Sequence, residues 1–372
     1  METKKNNISY KEIKSAEDFK KAEEILAVMP PFINGYYSSI RSKAAGTVLL
    51  YIRDIYNFLD YIVNSNPLLK NTEIKDITLD DLKKLTRQDV EEFLNTLYNS
   101  HVTGYDMPQR NSTKRIYMSA LTSLFTFLED EGLVETNIML KVKKSKKDRK
   151  RRVIRLDNDE EEALLNTILY GTGLSKKQAE ASVKTRERDY AIVLILLRTG
   201  LRVSELCGLN IEDISFKKNS FLVARKESVL KDDEVFFDDD IKEAIELYLN
   251  GKNAANTQRG TPLFTVSQGK FKGDRISVRS VENMVYKYST AATGRRISPH
   301  KLRATYATNM INATGNIELV KALMGHADIS TTTIYIDDES LAKEKARNIL
   351  KERRDKRKDS GENEDVVNKI EF

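Results

Sequence analysis

Apolar residues return at helical spacing along the first third of the chain. Phe19, Ala22, Leu26 and Met29 lie three or four positions apart. Val48, Ile52, Ile55, Leu59 and Ile62 repeat the pattern, followed by Val90, Phe93, Leu94 and Leu97, and then by Leu121, Leu124, Phe125 and Leu128. A period near 3.6 residues places such positions on one face, so each run predicts an amphipathic helix with a buried stripe. Thr86 stands where an N-cap belongs and Gly132 where a helix should stop. Pro30-Pro31, Asn66-Pro67 and the stretch 104–108 punctuate the runs. The pattern predicts a bundle of four or five helices over residues 1–140.

The pattern then breaks. Residues 141–155 read KVKKSKKDRKRRVIR and offer few apolar side chains to pack. Their like charges repel, which predicts an extended interdomain linker. A second globular segment follows over 156–350. It opens with an acidic helix, 157–169, and a polar stretch, 171–186, that reads as a surface loop. Residues 189–198 form a strongly apolar helix, which implies burial. Residues 221–225 and 234–237 read as two strands of a hairpin whose polar turn carries Lys226 and Lys231. Ile241, Ala244, Ile245, Tyr248 and Leu249 return to helical spacing, as do Val281, Met284, Val285 and Tyr288.

Ser298-Pro299 is a helix start, with serine as N-cap and proline in the first turn. His300 and Arg303 are three apart and share one face of that helix. Leu302, Tyr306 and Met310 lie on another and anchor it. A helix over 317–324 ends at Gly325, which puts His326 just past its terminus. Ser330 is placed to cap a short helix containing Tyr335. The tail, 351–372, is highly charged and finishes in the more apolar stretch 366–372. The expected fold is mainly α with a small β-sheet: a helical N-terminal domain and an α+β C-terminal domain.

Composition narrows the function. At 372 residues the chain has room for two cores. No apolar run is long enough to span a membrane, and no secretory h-region follows the N-terminus. A single cysteine, Cys207, excludes an internal disulfide and argues against a cysteine-based zinc site. A reducing cytoplasm is the expected setting. The net charge of +6 is modest, but ten of the fifteen residues in 141–155 are basic. Lys143, Lys144, Lys146, Lys147, Arg149, Lys150, Arg151 and Arg152 are suited to lie along a polyanion, where each cation near a phosphate releases a counterion. The competing reading is a solvated charged linker.

Three stretches carry candidate chemistry. They are Thr199-Gly200-Leu201-Arg202-Val203-Ser204-Glu205-Leu206, His300-Lys301-Leu302-Arg303, and Gly325-His326 with Tyr335 nine residues later. Taken singly, each has a bland reading. Arg202 can pair with Glu205 on its own helix, His300 can be a satisfied surface residue, Lys226 can be solvated, and Tyr335 is one of 16 tyrosines. Together they offer two arginines, two histidines and a tyrosine. Arginine is always charged and presents parallel donors to phosphate, so two of them can clamp one phosphodiester. Histidine can donate to a non-bridging oxygen or move a proton. A tyrosine, with an ordinary pKa of about 10, becomes a nucleophile in such a cationic field.

The order and spacing of these stretches resemble the tyrosine recombinase (phage-type integrase) family, most closely its Xer-like and transposon-integrase branches. The resemblance rests on RTGLRVSELCGLN from Arg198, SPHKLRATYAT from Ser298 and LMGHADISTTTIY from Leu323. It implies a helical core-binding domain (1–140), the basic linker (141–155), a catalytic domain (156–350) and a tail (351–372) whose apolar end, 366–372, docks on a neighbouring protomer, with a frayed tail as the competing reading. It places the catalytic arginines at Arg202 and Arg303, the histidines at His300 and His326, the supporting acid at Glu205 and the nucleophile at Tyr335. The hairpin lysine falls on Lys226, with Lys231 as the weaker candidate, because the Gly-Lys-Gly-like turn of the family is Arg225-Lys226-Glu227-Ser228 here. The implied reaction is a two-step transesterification through a 3′-phosphotyrosyl link and a Holliday junction, needing neither metal nor ATP. The implied partners are double-stranded DNA bearing a specific site, four protomers on that DNA, and a partner recombinase or directionality factor. The first bundle helix is expected near residue 16, which leaves too little chain for an additional arm-binding domain. The competing expectations are a type IB topoisomerase, a non-catalytic DNA-binding accessory factor and an RNA-binding helical protein.

Overall fold

The computed structural model describes residues 10–67, 69–70, 72–97, 111–143, 155–223, 233–250 and 260–325. The chain divides into two compact units, Met1–Arg151 and Arg152–Phe372.

In the first unit the described helices are α1 (Tyr10–Leu26), α2 (Ile33–Ile40), α3 (Ala45–Ser65), α4 (Leu79–Lys83), α5 (Arg87–Thr96) and α6 (Asn111–Asp130). That is one or two more than the four or five expected. The additional elements, α2 and α4, have eight and five residues and are too short to declare a period. Helix α3 is the hub and packs against α1, α2, α5 and α6. Its stripe of Val48, Ile52, Ile55, Phe58, Leu59 and Ile62 is buried. Phe58 meets Phe93 edge-on at 5.2 Å between ring centres, and Phe93 meets Tyr117 at 5.5 Å. Such pairs add to area burial because ring edges are positive and ring faces negative. Reciprocal capping boxes start α4 (Thr78 with Asp81) and α5 (Thr86 with Asp89), satisfying N–H groups that a helix leaves unpaired. Val142, inside the stretch read as a linker, is instead buried in this core.

The second unit holds α7 (Asn158–Tyr170), α8 (Lys176–Ser182), α9 (Arg186–Thr199), α10 (Val203–Gly208), β1 (Ile214–Ser215), β2 (Ser220–Val223), β3 (Asp233–Phe236), α11 (Asp239–Asn250), α12 (Val278–Thr293), α13 (Pro299–Thr314) and α14 (Ile317–Met324). The mainly helical chain with one small sheet is the expected fold class. The sheet is antiparallel in the order β1-β2-β3, with Ile214 opposite Phe221 and Phe221 opposite Val235. Helix α9 is the axis of this unit: every residue from Ala191 to Leu197 is buried, and α7, α11 and α13 pack around it. The stretch 171–186 is not the loop that its polarity suggested. Ser175 and Gln178 form a capping box that starts α8, and Ala179 packs against Gly171. Capping chemistry outweighed polarity, because an exposed helix needs few apolar residues.

One buried polar cluster ties this unit together. Asp189, on α9, is 1% exposed. It accepts from Thr185 Oγ1 at 2.8 Å, Arg188 Nη2 at 2.7 Å and Tyr288 Oη at 3.0 Å. Arg188 reaches on to the Thr265 carbonyl and Ser267 Oγ. Hydrogen bonds to its lone pairs offset the cost of burying this carboxylate.

Candidate active site

The site begins at a sharp turn after α9. Gly200 has φ of +64°, a left-handed conformation that glycine adopts without penalty. A Cβ there would collide with the Tyr306 ring and press on the Met324 sulfur. Close approach of three segments therefore requires glycine at this position. The turn delivers Arg202 to the N-cap of α10 with extended backbone. Thr199, 2% exposed, stiffens the turn: its hydroxyl donates to the Ile195 carbonyl at 2.7 Å and accepts from Leu201 N–H at 3.3 Å.

Glu205 holds Arg202 from two directions. Its Oε2 accepts the Arg202 backbone N–H at 2.8 Å, and its Oε1 accepts from Arg202 Nη1 at 2.7 Å. The bland pairing of Arg202 with Glu205 is therefore real. It does not compete with a catalytic role, because a guanidinium carries five N–H donors in a fixed fork. Arg202 Nη2 also donates to the Gly325 carbonyl at 3.2 Å.

Arg303 comes from α13 and is 2% exposed. Its Nη1 donates to the Gly200 carbonyl and its Nη2 to the Met324 carbonyl. Its Nη1 lies 4.0 Å from Glu205 Oε2. One carboxylate thus stands between two guanidiniums contributed by distant parts of the chain. The carbonyls of Met324 and Gly325, at the end of α14, accept from one arginine each. Carbonyl acceptors orient the forks without neutralising them, and a surplus of positive charge remains for an anion.

His300 sits one turn before Arg303 on α13 and is exposed. Crowding by the surrounding unit and the cations of Lys301, Arg303 and Arg202 hold its imidazole below the ordinary histidine value. The ring is neutral at neutral pH and can accept a proton or a hydrogen bond. The expected apolar anchor of α13 is only partly as read. Leu302 is buried, whereas Tyr306 and Met310 are half-buried beside Ala304, Ala307, Ile311, Val320 and Met324.

Arg202, Glu205, His300 and Arg303 are thus brought together. Lys226, Lys231, His326 and Tyr335 lie outside the described residues, as do Lys144, Lys146, Lys147, Arg149, Lys150, Arg151 and Arg152. Lys143 is described and exposed; its backbone N–H donates to Glu91 at 3.4 Å. No group of three or more His, Cys, Asp or Glu side chains with metal-ligand geometry occurs among the described residues. No helix among them is long and apolar enough to cross a membrane. The backbone acceptors Gly200, Met324 and Gly325 were beyond reading from side chains. Thr199 had a signal, a hydroxyl at the end of an apolar run.

The sequence profile described as Phage integrase family matches residues 154–341. The tyrosine recombinase XerS of Lactococcus lactis subsp. cremoris (strain MG1363) is 31% identical over 84% of this chain and 93% of its own length. That of Streptococcus uberis (strain ATCC BAA-854 / 0140J) is 31% identical over 85% and 94%. Among solved structures, the XerH site-specific recombinase bound to palindromic difH substrate matches with a TM-score of 0.61, at 19% identity over 93% of this chain and 91% of that one. The Tn1549 transposon integrase in complex with circular intermediate DNA matches with a TM-score of 0.56, at 19% identity over 81% and 93%. The chain belongs to the phage integrase family of tyrosine recombinases.

Proposed function

We propose that the Arg202–Glu205–His300–Arg303 cluster is the phosphate clamp of a site-specific DNA recombinase, one that cleaves and rejoins DNA through a 3′-phosphotyrosyl intermediate. The observation that carries this reading is the convergence of Arg202 and Arg303 on one carboxylate, with the neutral His300 beside them. A phosphodiester resists attack because it is anionic, and its transition state places more charge on the phosphoryl oxygens. Fixed cationic donors stabilise that charge without reorganising at the moment of reaction. A buried arginine is worth more here than an exposed one, because water does not screen it.

Tyr335 is the proposed nucleophile. Its oxygen bonds to the scissile phosphorus as the bond to the 5′ oxygen breaks, and Lys226 gives that oxygen its proton. Arg202, Arg303 and His326 hold non-bridging oxygens, and the neutral His300 accepts the proton that the Tyr335 hydroxyl gives up. A 5′-hydroxyl from a partner duplex reverses the step, so the bond energy stays in the protein–DNA link. The helical first unit and the basic stretch 143–152 are assigned to DNA binding. Four protomers act on paired sites in the cytoplasm, with the tail 351–372 bridging neighbours. The relatives named XerS and the DNA-bound solved structures support DNA as the partner.

The test uses wild type and Tyr335→Phe with fragmented DNA from the source genome. After SDS denaturation, DNA still joined to protein is captured and sequenced. Adducts with wild type alone support the nucleophile and identify its site. Adducts with Tyr335→Phe, or none with wild type at any protein concentration, overturn it. Relaxation of supercoils by a monomer without strand exchange would move the activity to a topoisomerase.

A further inference from the structure

Helix α13 carries His300 and Arg303, and one hydroxyl on its rear face has two partners. Thr305 is fully buried. Its Oγ1 donates to the Lys301 carbonyl, one turn back, at 3.0 Å. The same oxygen accepts the Leu156 N–H at 2.9 Å. Leu156 is 2% exposed and lies immediately before Asp157, the N-cap of α7. Asn309, one turn further along α13, donates from Nδ2 to Glu161 on α7 at 3.0 Å. Residues 301, 305 and 309 recur every four positions and define one face of the helix.

That face is turned away from the chemistry. Each residue advances an α-helix by about 100°, so Thr305 lies about 200° around the axis from Arg303 and about 140° from His300. On the Arg303 side, the helix is held by the carbonyls of Gly200 and Met324. On the opposite side it meets the start of α7. A threonine hydroxyl has one donor and two acceptor lone pairs, so Thr305 can satisfy its own helix and the incoming N–H together. No apolar residue of the same shape can do both.

We propose that Thr305 is a positioning residue for catalysis: its hydroxyl, clasped by the Leu156 N–H, sets where α13 presents His300 and Arg303 to the scissile phosphate. The inference rests on the phosphate-clamp reading of those two residues. Thr305 touches no substrate, and its effect passes through the helix. Valine conserves its shape and removes both hydrogen bonds. It leaves the Leu156 N–H buried without an acceptor and frees α13 to shift against Gly200. Serine keeps the oxygen.

Two measurements test this, one of them independent of DNA. In the free protein, the His300 imidazole resonance and its titration midpoint report on nearby charge. The chain has three histidines, so His300→Gln assigns the signal. Lys301 and Arg303 face His300 from its own helix and Arg202 from the start of α10. Thr305→Val should move the midpoint as the shifted helix changes the burial of the ring and its distance from Arg202, and Thr305→Ser should restore it. In the second measurement, adduct formation is timed at saturating concentrations of the DNA fragment that wild type captures. Thr305→Val should slow it at least tenfold with an affinity within twofold of wild type, and Thr305→Ser should stay within threefold. An unmoved His300 midpoint, or serine behaving like valine, defeats the proposal. So does a full cleavage rate in Thr305→Val with only a lowered melting temperature. If wild type forms no adduct, the recombinase reading fails, and the His300 titration still decides the positioning role.

Discussion

The two units are built on opposite terms. Among the described residues, the first buries two polar side chains, Asp54 and Asn137. The second buries nine: Thr167, Ser182, Asp189, Thr199, Ser220, Ser289, Arg303, Thr305 and Thr308. The first unit's core is a packed apolar stripe in which aromatic rings meet edge to face. The second has an apolar axis in α9, but its working parts are held by hydrogen bonds to buried donors and acceptors. Apolar packing is non-directional and tolerates small shifts. A guanidinium that must meet a phosphate within a few tenths of an ångström needs directional contacts on every side. The proposed phosphate clamp depends on the second kind of core.

The largest effect that would break this contrast is a cavity in the first unit. Phe58→Ala should cost about 3–5 kcal/mol, since the lost ring contacts are only partly recovered by collapse. Hydrogen exchange read separately on peptides of each unit checks it. Protection should fall over α3 and α5 and hold over α9 and α13. Equal loss in both units would mean that their cores are not the separate bodies that this comparison assumes.

Arg303→Lys should do the reverse. The charge stays, but the fork that bridges the Gly200 and Met324 carbonyls is lost. Covalent adduct formation should fall by about 10²–10³-fold, the scale seen when a preorganised donor is removed. Thermal unfolding should shift far less than with Phe58→Ala. Near-normal cleavage by the lysine variant would show that charge alone, without the fork, is enough.

The smallest effect concerns Asp54, 2% exposed on α3. Among the described residues its Oδ2 has no hydrogen-bond partner, and Arg53 lies 3.6 Å from Oδ1. Desolvation by burial holds its carboxyl above the ordinary value, against the weaker pull of Arg53. A raised folded value means that the group favours folding below its unfolded value of 3.8 and opposes it as pH rises through the folded value. Asp54→Asn should therefore stabilise the first unit by about 1 kcal/mol at pH 7, with the gain shrinking toward pH 4. Melting temperatures of both proteins across that range are the check. A gain that grows on acidification would reverse the assigned sign.

Much of both units could be read from residue order. The α3, α5 and α6 runs announced themselves because apolar residues at a 3.6 period have no other economical arrangement. Asp157 and Ser298 stand at helix starts, where residues of their type belong. The reading failed where the signal was short or not apolar. Helix α8 is polar and depends on Ser175 and Gln178 capping each other, while β1 spans two residues. Val142 passed for linker because its neighbours are charged, yet its own side chain is buried.

Residue types and spacing determined the family and much of the run of helices, since a motif is a linear property. They could also place His300 and Arg303 on one helix face, because that follows from local geometry. They could not say that Glu205 would stand between Arg202 and Arg303, nor that the backbone carbonyls of Gly200, Met324 and Gly325 would aim the two forks. Nor could they show that Thr305 receives the Leu156 N–H. Those contacts join segments far apart in the chain, and a backbone carbonyl has no letter in the sequence. Only folding brings them within hydrogen-bonding distance, and there direction and distance decide what a charge can do.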